Sequence, residues 1–478
     1  MPLKTPFPTL TETPLIFIVH CLISFGLTWH ILRRKSNVRS AMGWIALVWL
    51  TFISGPLLYI VFGINRISRK AARLVQIAPT TEGRRGVTAL LEAPAPIQTL
   101  ATIAGQITGM PLTAGNRITV YHGGRAAYGP MIGAIEQAQH SVALAGYIFR
   151  NDAVGRRFIA ALTRAHQRGV AVRVLIDGVG GGFFTARAFR ALRAAGVPCA
   201  RFLHSYAPWR MPLLNLRNHK KLLILDGTSG FTGGLNIGAE NRAPPDAPGS
   251  VDDVQVGVTG PVIRHLLGTF AQDWNFTTNE SLEGEIWWPD SLQAPGPTLA
   301  RGIRSGPDAD LHHIETLLGA ALSLAEHRVR IVTPYFLPDD QLRSAIELAC
   351  MRGVTVEIVI PEHSDHRLID WAVRAHLRAS RQLRPRVFLG ATPFNHAKLM
   401  TIDGIWSLVG SSNWDARSLR LNFEFDLECY DPAVCAELDS LIDEKIARSR
   451  PIADAELAAD PLWKRQRDAA ARLLLPYL

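Results

Sequence analysis

The sequence predicts an α/β protein of two fused, similar halves forming a pseudo-dimer around one shared active site, preceded by a two-helix transmembrane hairpin. Three observations lead there: two charge-free apolar runs near the start, an alternation of helical and strand-like segments that occurs twice, and a polar motif that recurs once in each copy. At 478 residues the chain has room for two globular units and accessory segments. The expected divisions are a membrane anchor over 1–75, a linker over 76–115, a first half over 116–290, and a second half over 291–478 that ends in a helix.

The anchor rests on Leu15 to Leu32, which lacks Lys, Arg, Asp and Glu, and on Ala41 to Ile64, which carries Trp44, Trp49 and Tyr59 but no charge. A helix crossing a bilayer needs roughly 20 residues at about 1.5 Å each, so both runs qualify. Only Lys4 precedes the first run and a second follows closely, which favours a two-helix anchor over a cleaved signal peptide. The basic residues between the runs (Arg33, Arg34, Lys35, Arg39) balance those outside them (Lys4, Arg66, Arg69, Lys70, Arg73), so orientation stays open. His20 and His30 lie in or beside the first span, as polar glue between helices or as tolerated interfacial residues.

A composition of 47% hydrophobic and 19% charged residues excludes a disordered polyelectrolyte. The net charge of +10 favours an anionic partner, and both anionic lipid and nucleic acid meet that description. Cys21, Cys199, Cys350, Cys429 and Cys435 are scattered without a close pair, which argues against structural zinc and disulfides and for buried thiols.

Beyond a Gly- and Pro-punctuated stretch from Ile77 to about Asn116, the repeat begins. Ala134 to Asp177 and Ala321 to Pro361 each read as helix, strand, helix, strand, with apolar residues at three- and four-residue spacing followed by β-branched runs at Val170–Ile176 and Val354–Ile360. Such alternation implies α/β layers, and two copies imply a site where they meet.

Each half then delivers H-x-K-x4-D. The first copy supplies His219, Lys221 and Asp226, followed by Gly233, Gly234 and Asn236. The second supplies His396, Lys398 and Asp403, followed by Gly410, Ser411 and Asn413. On a strand, residues two apart share a face, so each His and Lys project together. A lone copy reads equally well as a core histidine and a surface lysine, whereas two matching copies do not. The six motif residues form the candidate catalytic set. Lys221, Lys398, Asn236 and Asn413 can donate to the non-bridging oxygens of a phosphodiester, whose negative charge otherwise repels a nucleophile.

With both motifs in view, the chain resembles the phospholipase D superfamily and, within it, the bacterial cardiolipin synthases. The likeness also covers GPLLYIVFGINR at the end of the second apolar run, YIFRNDAVG, SGPD at Ser305–Asp308, TPYFLPDD, SSNWDARSLRLNFE and the tail ARLLLPYL. It implies two phospholipase D-like halves and phosphatidyl transfer without metal or cofactor. In that scheme His219 is the nucleophile, His396 is the general acid and then base, and Asp253 and Glu424 orient the imidazoles. Asp226 and Asp403 hold structure rather than touch phosphate. The implied substrate is an anionic phospholipid, two phosphatidylglycerols giving cardiolipin and glycerol, at the bacterial cell membrane with a multi-pass anchor. Two loops depart from the family pattern, at Val251-Asp252-Asp253 and at Ala239-Glu240-Asn241.

Trp209, Met211, Leu213 and Leu214, just before the first motif, could contact acyl chains or simply pack. Trp463, Lys464, Arg465, Arg467 and Arg472 suit a basic amphipathic helix, at the interface or docked on the body. A hydrolase, or a transferase using another alcohol, fits the motif equally well. A nuclease would be expected to interleave aromatics for base stacking, which is absent, so no nucleic acid partner is expected. A non-catalytic scaffold would be expected to have lost one copy of the motif.

Overall fold

The structure is a computed structural model that describes residues 13–35, 38–63, 90–205, 216–307, 310–379 and 385–473. These residues fall into two compact units, the N-terminal helices and the α/β body, each described by itself. The candidate acyl-contact residues Trp209, Met211, Leu213 and Leu214 lie outside the described residues.

In the N-terminal unit, Thr13–Arg34 is one helix. Among the described residues its stretch Ile16–Arg34 is the helix long and apolar enough to cross a membrane. The second apolar run departs from the expected continuous span. It forms a helix over Val38–Leu50, breaks, resumes over Ser54–Leu58 and ends in a wider turn over Tyr59–Gly63. Pro56 explains the break: it has no N–H for the carbonyl of Phe52, its ring collides with that carbonyl, and Ile53 turns to φ 36°. Polar bonds tie the segments together. Trp49 Nε1–H donates to Thr28 Oγ1 at 2.9 Å, the Ser24 hydroxyl donates to the Val48 carbonyl at 3.3 Å, and His30 Nδ1 shares a 2.8 Å hydrogen bond with the Tyr59 hydroxyl. His30 is thus polar glue between the segments.

The body is built on a long mixed sheet that carries the repeat twice. The first half contributes β1 (Thr113–His122), β2 (Ser141–Gly146), β3 (Ala171–Asp177), β4 (Cys199–Phe202), β5 (Arg217–Asn218), β6 (Leu222–Leu225), β7 (Ser229–Gly233), β8 (Val251–Asp252) and β9 (Val254–Thr259). The second contributes β10 (Thr298–Ser305), β11 (Arg328–Val332), β12 (Thr355–Pro361), β13 (Arg386–Gly390), β14 (Phe394–Asn395), β15 (Leu399–Ile402), β16 (Trp406–Gly410), β17 (Asn422–Tyr430) and β18 (Ser449–Pro451). In space the order is β18-β13-β12-β11-β15-β16-β17-β10-β1-β9-β7-β6-β2-β3-β4. The halves join where β1 and β10 run antiparallel, Thr113 opposite Ala300 and Asn116 opposite Thr298. In each half the second to fourth strands, β2-β3-β4 and β11-β12-β13, are parallel, and β6 or β15 joins them antiparallel, so the pattern reads the same outward from the seam.

Equivalent residues do equivalent work. Arg168 and Arg352 each follow a helix and donate through Nη2 to carbonyls ending the preceding one: Ile135 and Ala138 in the first half, Leu322 and Ala325 in the second. The next residues, Gly169 and Gly353, take φ of 89° and 90°, a conformation that glycine adopts without steric cost. Asp152 and Asp339 cap the helices Ala153–Gln167 and Asp340–Met351 by accepting N–H bonds from the first turn.

The linker expectation needs correction. Its described part contains a helix, Ala95–Thr108, whose Ile97, Leu100, Ala101 and Ala104 are buried in the core of the second half with Leu317 and Leu318. Arg301 Nη2 also donates to the Ala101 carbonyl at 3.0 Å, tying this helix to β10. The C-terminal helix Leu462–Leu473 is docked on the body: Asp468 is buried against Arg378 at 2.7 Å, and Ala471 joins the core. Its Leu462, Trp463 and Leu473 remain exposed.

Candidate active site

Each motif histidine lies between two strands that belong to different neighbourhoods, rather than within one strand as the spacing suggested. Residues 217–218 pair in parallel with Asn422 and Phe423 of the other half before the chain rejoins its own sheet at β6. Likewise 394–395 pair with Val251 and Asp252 before the chain rejoins at β15. The crossings extend onto the histidines: His219 N–H donates to the Phe423 carbonyl at 2.9 Å, and His396 N–H to the Asp252 carbonyl at 2.7 Å. Each motif is therefore pinned to the opposite half, and both open into one cleft of about 1010 Å³.

The crossings also decide which acid serves which histidine. Glu424 and Asp253 each come one residue after the crossing pair on their strand, and both are 0% exposed. Glu424 Oε2 lies 2.9 Å from His219 Nδ1, and Asp253 Oδ2 lies 2.7 Å from His396 Nδ1. Each imidazole is thus oriented by an acid of the other half. The tautomer of His219 follows from a second contact: its Nδ1 is 3.1 Å from the Ser411 carbonyl oxygen, which can only accept, so Nδ1 carries the proton. Nε2 then presents a lone pair. Glu424 Oε1 accepts from the Ser418 hydroxyl at 2.9 Å and Asn422 Nδ2 at 3.0 Å, so every partner stabilises its ionised form, against burial that pushes its pKa up. The two imidazole rings lie near each other, centroids 6.4 Å apart, with their planes at 73° in an edge arrangement.

The lysines are buried beside the histidines. Lys221 Nζ donates to the His219 carbonyl at 2.6 Å and lies over the Tyr147 ring. Lys398 Nζ donates to the His396 carbonyl and lies 3.0 and 3.1 Å from the two ring nitrogens, an approach that only the ring face allows. Burial, followed by neighbouring lysine charge, pushes His219 well below its ordinary pKa and also lowers His396, which Asp253 partly restores. His219 is therefore held in its neutral form, as a nucleophile requires, while Asp253 opposes the lowering at His396 and favours its protonated form. Burial likewise pushes Lys221 down to about 7 and Lys398 to about 8.

With folded values below the ordinary 10.5, the unfolded chain binds more protons above about pH 7, so the two lysines make the protein more stable as pH rises from there toward 10.5. A bound phosphodiester reverses this by favouring both ammonium ions. Binding a short-chain phosphodiester at about pH 8.5 is therefore expected to draw in between about one and two protons. Titration calorimetry in buffers of different ionisation enthalpy measures the uptake, and zero uptake would contradict a phosphate-binding role for the lysines.

The remaining expected residues divide clearly. Asn236 and Asn413 line the cleft. Asn236 Oδ1 accepts the Ile148 N–H at 3.3 Å, whereas Asn413 Oδ1 is buried and meets no donor among the described residues. Asp226 and Asp403 do not line the cleft, which takes them out of the candidate catalytic set and agrees with the structural part that the family resemblance implies for them. Asp226 accepts N–H bonds from Gln139, His140 and Ser141 at the entry to β2, and Asp403 accepts from Glu326, His327 and Arg328 at the entry to β11. A short acceptor side chain that tolerates positive φ, 51° and 52°, suits both positions.

Gly234 fits the same construction. A Cβ there would stand 2.1 Å from Asp253 Oδ1, so any side chain displaces the carboxylate that orients His396. Gly234→Ala is expected to lower kcat about 10²-fold, the scale of a misplacement near 1 Å. Steady-state kinetics alongside thermal melting tests this, and an unchanged kcat would show that Asp253 has room to adjust.

Sequence reasoning missed Tyr147, which packs on His219 with centroids 4.8 Å apart, and Tyr335, whose hydroxyl donates to Asp365 Oδ1 at 2.6 Å in the cleft wall. The signal was present, since YIFRND and TPYFLPD follow β2 and β11 at matching positions. Among the described residues no cluster of three His, Cys, Asp or Glu could hold a metal ion.

Two neighbouring imidazoles, each with Nδ1 turned to a buried acid, flanked by two lysines and two asparagines, define the two-half site of phospholipase D-like proteins. The chain belongs to the family described as "Cardiolipin synthase, PLD-like domain", whose sequence profile matches residues 131–274 and 318–446, more than half of its length. It is 29% identical to the major cardiolipin synthase ClsA of Bacillus subtilis over 97% of this chain and 98% of that one. It is also 32% identical to cardiolipin synthase A of Pseudomonas fluorescens over 77% of this chain and 76% of that one. In fold it is similar to the crystal structure of phosphatidylserine synthase from Haemophilus influenzae, with a TM-score of 0.61 and 15% identity over 80% of this chain and all of that one.

Proposed function

We propose that the protein is a cardiolipin synthase, a membrane-associated phosphatidyltransferase that joins two phosphatidylglycerols and releases glycerol. The observation that carries the chemistry is the pair of Nδ1-anchored imidazoles, 6.4 Å apart in one cleft. Relatives named as cardiolipin synthases over most of the chain support the choice of substrate.

His219 Nε2 attacks phosphorus and forms a phosphohistidine. His396, protonated for this step, gives its Nε2 proton to the departing glycerol oxygen. Lys221, Lys398, Asn236 and Asn413 bind the non-bridging oxygens, where charge is held through the transition state. Glu424 stabilises the positive charge that develops on His219, and Asp253 does so for His396. His396 then accepts a proton from the incoming hydroxyl of the second lipid, whose oxygen displaces His219. The N-terminal helix anchors the enzyme in the bacterial cell membrane, and the broken second segment, bonded to it through Trp49, Val48 and Tyr59, completes a two-pass anchor.

The test is incubation of purified protein in detergent or vesicles with labelled phosphatidylglycerol, with and without phosphatidylethanolamine. Cardiolipin and free glycerol are expected. Phosphatidic acid alone would replace this reading with hydrolysis, and a mixed product with phosphatidylethanolamine would change the acceptor.

A further inference from the structure

The two halves match closely around the histidines but differ at the mouth of the cleft. Two residues before the motif histidine stands Arg217 in the first half and Phe394 in the second, and both line the cleft. Four residues after the cleft asparagine stands Glu240 in the first half and Arg417 in the second, and these line it too. The crossing strands sort these residues by location. Arg217 on β5 pairs with Asn422, and Arg417 lies on the short helix Ala416–Arg420 leading directly into that strand, so two arginines meet at one crossing. At the other crossing Phe394 pairs with Val251, while Glu240 is engaged by Arg150 at 2.7 Å. One mouth is basic and the other is aromatic with a neutralised acid.

The basic mouth adjoins His219. Tyr147, which packs on the His219 ring, is acted on by both Arg217 and Arg417, whose charges oppose the upward push of burial on its hydroxyl. The two guanidinium groups also repel each other: after burial, Arg217 is the largest influence lowering the pKa of Arg417. Asp177 and Asp415 attract Arg417 and partly offset that repulsion, while also accepting N–H bonds, Asp177 from Val179, Gly180 and Asn218 and Asp415 from Ser418 as a helix cap. Two half-buried guanidinium groups brought from opposite halves to one stretch of cleft wall offer several N–H donors to an anion bound there.

We propose that Arg217 and Arg417 form a second phosphodiester subsite, which holds the non-reacting phosphate of the acceptor lipid while its hydroxyl is presented to the phosphohistidine. The inference rests on the phosphatidyl-transfer reading. Joining two phosphatidylglycerols brings two phosphodiesters into one cleft, and the histidines, lysines and asparagines serve only the one that reacts. Water and free glycerol carry no phosphate and gain nothing from the arginine pair. The subsite therefore selects a lipid acceptor over water by binding it rather than by excluding water.

The experiment compares two acceptors on one donor. The full-length protein is given phosphatidylglycerol and labelled glycerol, and both cardiolipin and label exchanged into phosphatidylglycerol are measured for wild type, Arg217→Gln, Arg417→Gln and Arg417→Lys. Cardiolipin formation in each Gln variant is expected to fall about tenfold or more through a raised KM for the acceptor, as for loss of a charge-assisted bond. Glycerol exchange should stay within about threefold of wild type, and Arg417→Lys should recover part of the lost cardiolipin because the positive charge remains. Parallel loss of both reactions, or an unchanged ratio of products, overturns the subsite. A wild-type protein that exchanges glycerol but makes no cardiolipin overturns the parent reading instead.

Discussion

His219→Ala and His396→Ala are each expected to lower phosphatidyl transfer by at least about 10³-fold, on the scale of losing a nucleophile or a general acid–base group. The two variants should differ in the intermediate they can form. With labelled donor and rapid quenching at alkaline pH, where phosphohistidine persists, His219→Ala should carry no label because the attacking nitrogen is gone. His396→Ala keeps its nucleophile but has no base to activate the second hydroxyl, so the label that forms should remain on the protein. Folding should survive in both. The imidazoles line a cleft rather than fill a core, and their removal leaves Glu424 with its Ser418 and Asn422 partners and Asp253 Oδ1 with the Val254 N–H. Label on His219→Ala and none on His396→Ala would exchange the roles of the two residues. Near-normal turnover in either variant would remove the shared site.

Much of this architecture was legible because the repeat is written in residues with narrow uses. Arg168-Gly169 and Arg352-Gly353 mark the same helix ending in both halves, and the paired His and Asn positions mark the same cleft wall. The pairing of acid with histidine was not legible. Glu424 and Asp253 each follow the motif of their own half in sequence, and their assignment to the opposite histidine depends on two crossings of two residues each. So short a strand carries no period-two pattern to read. The helix Ala95–Thr108 was hidden for a different reason: its apolar spacing at Ile97, Leu100, Ala101 and Ala104 was present, but surrounding proline and glycine suggested a linker. The break in the second apolar run had a local cue in Gly55-Pro56, outweighed by the absence of charge. The arginine pair is a property of convergence alone, because Arg217 and Arg417 are far apart in sequence and meet only through the crossing of β5 with β17.

Crossed support of the histidines leads to the second large effect. Asp253→Asn should act on His396 and Glu424→Gln on His219, each across the interface between halves. An amide at either position offers an N–H where the imidazole needs an acceptor, which favours the wrong tautomer and withdraws the charge that stabilises imidazolium. Each variant is expected to lose about 10²- to 10⁴-fold in turnover with natural lipid. A phosphatidyl ester of p-nitrophenol separates them, because nitrophenolate leaves without a proton from His396. Asp253→Asn should then release nitrophenol in a rapid burst of one equivalent and stall, since only the second step still requires a base. Glu424→Gln should show no burst with either substrate, because the attack by His219 itself is impaired. Stopped-flow absorbance reads both outcomes directly. A burst in Glu424→Gln with none in Asp253→Asn would mean that the acid of the first half serves the nucleophile, and either the nucleophile assignment or the crossing of acids would have to be given up. Locating the label in the stalled Glu424→Gln protein decides between the two: on His396 it exchanges the nucleophile and keeps the crossing, and on His219 it gives up the crossing.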